Sequence, residues 1–70
     1  MPHPLNPQLR LAGCELAEEI RSGRWEHLEG LKTRPAPRCV ELTDTLSERC
    51  PGFTLEEYQE AIGNGLFETR

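Results

Sequence analysis

Leu9, Ala12, Gly13, Leu16, Ala17 and Ile20 follow one another at steps of one, three and four residues. That period lines small and apolar side chains along one stripe of an α-helix, whereas a half-buried strand would alternate every second residue. Glu15, Glu18, Glu19 and Arg21 fall between them, on the side that meets water. The ends of this helix are also written locally. Asn6 offers an N-cap oxygen and Pro7 takes the first helical position, where its missing N–H costs nothing. Ser22-Gly23 closes the helix, with glycine as the left-handed residue just past the cap.

Related spacings recur further along. Trp25, Leu28 and Leu31 repeat every third residue, which predicts a short second helix over 24–32 with Glu26, Glu29 and Lys32 facing water. Gly30 weakens it by about 1 kcal/mol relative to alanine. Thr33-Arg34-Pro35-Ala36-Pro37 then breaks the chain, because two prolines at alternate positions stop one helix and extend the backbone. Pro37 opens a third helix running to about Arg49, with Cys39, Leu42, Leu46 and Cys50 on one face, before Pro51-Gly52 forces a turn. The last helix has the strongest start signal. Thr54 and Glu57 form a capping box, and Phe53 and Tyr58 form a hydrophobic staple across it. Leu55, Tyr58, Ala61 and Ile62 supply its apolar face. Gly63-Asn64-Gly65 is expected to end it, with Leu66 and Phe67 folding back onto the core.

Val40 is the single valine, and no alternating β-branched run exists. The expected fold is therefore all-α: a small bundle of about four short helices, arranged as two helical hairpins joined at a Pro-rich hinge over 33–37. One domain spans 1–70, with residues 1–5 flexible. Seventy residues bury a core that rarely supplies more than roughly 3–5 kcal/mol without a disulfide, a metal or a second subunit. A protein partner or a homodimer is expected on that ground.

The net charge of −4 is unevenly placed. Residues 1–38 carry six basic and five acidic side chains, and residues 39–70 carry two basic and seven acidic ones. An acidic half repels nucleic-acid phosphates and anionic lipid. The same surface could also imitate nucleic acid and occupy a basic groove. Cys14, Cys39 and Cys50 are odd in number and widely separated, unlike the cysteine set of a small disulfide scaffold. They are expected to be free thiols buried as small hydrophobes. No basic stretch followed by an apolar one opens the sequence, and no apolar run reaches membrane-span length. Cytoplasmic residence without membrane association is expected.

The chemistry-bearing residues do not assemble into a recognisable set. No CxxC, HxxxH or HExxH spacing is present, so neither a metal nor a cofactor is expected. His27 is the one candidate base outside the N-terminal segment, on a helix that should be partly exposed. A bundle this small is also expected to lack a pocket of roughly 300 Å³ or more, so the chain is not expected to be an enzyme. Asp44-Thr45-Leu46 differs from the Asp-Ser-Leu motif on which acyl carrier proteins attach phosphopantetheine, since threonine replaces serine and the triplet falls inside a helix. Helices three and four around Pro51-Gly52-Phe53 have the spacing of a helix-turn-helix. The second of them presents Glu56, Glu57, Gln59 and Glu60 where a DNA reader carries basic or amide side chains.

Trp25, Phe53, Tyr58 and Phe67 are the aromatic residues, and all four can serve as core. Alternatively Trp25 or Phe67 anchors an exposed patch ringed by Arg24, Arg34 and Arg38, which would engage an acidic partner. By elimination the sequence points to a small protein–protein interaction module: an adaptor, inhibitor or regulatory subunit. A helix-turn-helix DNA-binding regulator is the alternative.

Overall fold

The computed structural model describes residues 5–28 and 35–69. Within them the chain forms three α-helices, α1 (Pro7–Arg21), α2 (Val40–Arg49) and α3 (Leu55–Glu68), with a 3-10 turn over Ala36–Arg38. No strand occurs among the described residues. The all-α expectation holds, with three helices among the described residues where about four were expected in the whole chain.

Of the helix expected over 24–32, the described residues 24–28 form turns instead. α1 ends in a Schellman motif: the Gly23 N–H donates to the Ile20 carbonyl at 3.1 Å and the Arg24 N–H to the Glu19 carbonyl at 3.2 Å. Gly23 sits at φ 88°, where a side chain would be strained. Beyond it the chain continues in turns, with Glu26 N–H on the Gly23 carbonyl and Leu28 N–H on the Trp25 carbonyl. Such single i→i+3 contacts shape a loop. Trp25 and Leu28 still reach the core, packing against its edge from that loop. Residues 29–32 of the expected helix, and Thr33 and Arg34 of the expected hinge, lie outside the described residues.

α2 begins later than Pro37 predicts. Pro37 lies in the 3-10 turn, and Cys39 is extended at ψ 116°, so the first helical residue is Val40. Cys39 gives α2 no side-chain cap. Its thiol is buried and donates to Glu41 Oε2 at 2.9 Å. Leu42 and Leu46 point into the core as their spacing predicts, with Cys50 half-buried beside them. All three cysteines are free.

α1 and α3 start as their local signals require. Asn6 Oδ1 accepts the Gln8 N–H at 2.9 Å with Pro7 at the first turn. The Thr54–Glu57 capping box is present in both directions, at 3.2 and 3.0 Å. The staple residues Phe53 and Tyr58 meet edge to face, and the Tyr58 hydroxyl donates to the Cys50 carbonyl at 2.9 Å. That bond ties the α2–α3 turn to the helix it precedes.

α3 does not end at Gly63-Asn64-Gly65; it runs through to Glu68. The reason is tertiary. A Cβ on Gly65 would lie 2.4 Å from the Gly13 carbonyl oxygen, and one on Gly13 would lie 2.4 Å from the Ala61 carbonyl oxygen. The two helices cross backbone to backbone, and that packing sustains a helix through residues whose propensity opposes it. Leu66 packs against the core from within the helix, while Phe67 is 66% exposed instead of folding back. The centre is formed by Leu9, Leu16, Ala17, Leu42, Leu46, Ala61 and Ile62, all fully buried, with Tyr58 at 5% exposure. No helix among the described residues is long and apolar enough to cross a membrane.

Candidate functional site

The α1–α3 crossing brings the first two turns of α1 alongside the last turn of α3. Between them lies an open groove of about 520 Å³, lined by Leu5, Pro7, Arg10, Leu11, Cys14, Glu68 and Thr69. A chain this short was expected to lack such a volume. It arises here between two helix ends at the surface rather than inside the core. Leu5, Pro7 and Leu11 make its aliphatic wall, and Leu11 is 62% exposed. Leu11 sits off the buried stripe of α1, so the core leaves it to solvent.

The polar wall is a four-membered network around one carboxylate. Glu68 accepts from the Arg10 guanidinium through Nε at 3.0 Å and through Nη2. It also accepts from the Asn64 amide at 2.8 Å and the Cys14 thiol at 3.4 Å. The Arg10 guanidinium, followed by the Cys14 thiol, holds the Glu68 carboxyl far below its usual range, at about 2. Burial, followed by the hydrogen bond to Glu68, pushes the Cys14 thiol up, so it is a poor nucleophile at neutral pH.

A second network joins the other end of α1 to α2. Glu19 takes both Arg49 Nη1, at 2.6 Å, and Arg49 Nη2, at 3.0 Å, in a bidentate pair. The Trp25 indole N–H donates to the same carboxylate at 3.3 Å, and Arg24 stands 3.9 Å away. Arg49, whose hydrogen bonds are the largest influence, lowers the Glu19 pKa. This cluster closes the bundle and positions the loop after α1.

No protein-family model, curated protein or solved structure matches this chain. Its site must be read from its own geometry.

Of the residues singled out from sequence, Arg24 and Trp25 meet on Glu19, with the Trp25 ring packed on the core edge and stacked against His27 at 6.2 Å. Arg38 is exposed on the 3-10 turn, whose Pro37 packs beside Gly63 of α3. Phe67 lies in the last turn of α3, one residue from the groove. Arg34 lies outside the described residues. No described contact gathers these residues around Trp25. Among the described residues, no group of three or more His, Cys, Asp or Glu side chains converges as metal ligands would.

Sequence reasoning missed Leu11, Arg10, Cys14 and Glu68 as neighbours. One signal was available: Leu11 is apolar at a position where the helical period calls for a polar residue. The Arg10–Glu68 pairing, by contrast, spans 58 residues and has no local signature.

The two depressed carboxylates contribute to the acid limb of stability. Their unfolded pKa is near 4.5 and their folded values are lower, so folding releases protons as pH falls. The Glu68 contribution is complete above about pH 4.5 and is lost as pH drops from there toward about 2, and Glu19 acts in the same direction. Urea midpoints measured across that range should fall with decreasing pH. Glu68→Gln should flatten the part between those limits, and an unchanged slope would show that the pair adds nothing to folding.

Proposed function

We propose that this protein works by binding other protein surfaces through the α1–α3 groove, as an adaptor, inhibitor or regulatory subunit without catalysis of its own. The observation that carries the reading is Leu11. A large aliphatic side chain at 62% exposure lines an open groove beside Leu5 and Pro7, together with the Arg10–Glu68 pair. Apolar side chains bordered by polar and charged ones are the composition of protein interfaces. The raised thiol of Cys14 and the hydrogen-bonded Glu68 suit a surface that binds rather than reacts.

DNA binding is disfavoured by charge. A helix-turn-helix docking would insert α3, whose exposed N-terminal turns carry Glu56 and Glu60, against phosphates.

Leu11→Glu tests the reading without touching the core. The tagged wild type should retain a stoichiometric protein from a nuclease-treated lysate of its host, and the variant should lose it. Retention should persist as salt is raised, since apolar contact is not screened. Equal retention by both proteins would remove the groove from the function.

A further inference from the structure

We propose that the groove is occupied by a second copy of this chain, in a two-fold symmetric dimer built on the start of α1 and the last turn of α3. The inference rests on the reading of the groove as a docking surface and names its occupant.

Charge decides between the exposed apolar faces. The chain carries −4, so most ways of pairing two copies set carboxylates against each other. Val40, 56% exposed, shares the outer face of α2 with Glu41 and Asp44. Leu55, 61% exposed, is followed at once by Glu56. A two-fold contact on either face would be repulsive. The groove is different, because Arg10 and Glu68 lie side by side on it with opposite signs.

A two-fold interface uses the same patch on both subunits, so the patch must complement itself. Rotation about an axis through the groove carries Arg10 of each copy toward Glu68 of the other and Leu11 of each onto the other's aliphatic wall. Arg10 has capacity for the second contact. Its side chain is 57% exposed, and Nε and Nη2 are the atoms it spends on its own Glu68. Pairing also suits a domain whose core alone gives a thin margin.

Sedimentation equilibrium of the full chain over a wide concentration range reads the outcome. Wild type should rise from 8.0 kDa toward twice that mass, and Leu11→Glu should stay at 8.0 kDa throughout. Charge reversal separates a contact between copies from one within a copy. Arg10→Glu alone places two carboxylates on each side of the interface, and Glu68→Arg alone places two guanidiniums there, so each variant should be monomeric. Mixed together they should form a heterodimer, because every cross-contact then joins opposite charges. A loss of fold within either variant could not be repaired by mixing, and circular dichroism of each checks it. A wild type that stays at 8.0 kDa, or a mixture that stays monomeric, overturns the second-copy inference. In the monomeric case, a distinct protein retained by wild type and lost by Leu11→Glu would leave the groove as a docking site for another partner. Loss of both results would end the docking reading itself.

Discussion

Gly65→Ala should destabilise the protein by about 2 kcal/mol, although it replaces a poor helix former with the best one. The new Cβ would stand 2.4 Å from the Gly13 carbonyl oxygen, 2.6 Å from the Gly13 carbonyl carbon and 2.9 Å from the Cys14 nitrogen. All three are backbone atoms of α1, so no rotamer change relieves the clash and the helices must separate. Overpacking typically costs about 1–3 kcal/mol, and a clash with fixed backbone falls at the upper end, against a helix-propensity gain of about 1 kcal/mol. The net loss of about 2 kcal/mol is a large part of the roughly 3–5 kcal/mol that a core of this size supplies. Gly63→Ala, two residues away on the same helix, is the control. Its Cβ would meet only the Pro37 ring at 3.5 Å, an ordinary contact. That variant should gain up to about 1 kcal/mol. Urea unfolding followed by circular dichroism compares them, and equal midpoints for the two variants would refute the backbone crossing.

Leu46→Ala should cost about 2–5 kcal/mol, the usual range for emptying a fully buried leucine site. Leu46 has no exposure, and it lies on the element least able to stand alone. α2 has 10 residues and no side-chain N-cap, whereas isolated helices shorter than about 12–15 residues are marginal in water. Its order therefore comes from Leu42 and Leu46 in the core and from the Arg49–Glu19 pair at its end. Amide hydrogen exchange in the variant should quicken first and most in α2. A midpoint within 1 kcal/mol of wild type, on the conversion appropriate to its denaturant slope, would mean that the core is not packed around this residue.

These variants separate two kinds of information in the chain. The starts of α1 and α3 were readable, because Asn6 acts on Gln8 and Leu9, and Thr54 acts on Glu57. The end of α1 was readable for the same reason, as Gly23 closes a motif spanning only Glu19 to Arg24. The buried faces also followed from spacing, with Leu9, Leu16, Leu42, Leu46 and Ile62 inside. Two readings of the same kind failed. Trp25 and Leu28 keep the spacing of a helix but pack from a loop, since an apolar period reports which side chains are buried and not the backbone that delivers them. Gly63-Asn64-Gly65 reads as a stop, yet α3 passes through it.

The candidate site was the least legible part. Arg10, Leu11, Cys14, Glu68 and Thr69 become one groove only because α1 and α3 cross at Gly13 and Gly65. Caps, turns and amphipathic faces are interactions between residues within a few positions, whose geometry the helix itself imposes, so the sequence alone determined the all-α class, most helix ends and most of the core. The continuation of α3 and the pairing of Arg10 with Glu68 were decided by tertiary structure. Each depends on backbone approach between segments about fifty residues apart, where packing energies of about 1–3 kcal/mol outweigh local preferences of about 1 kcal/mol.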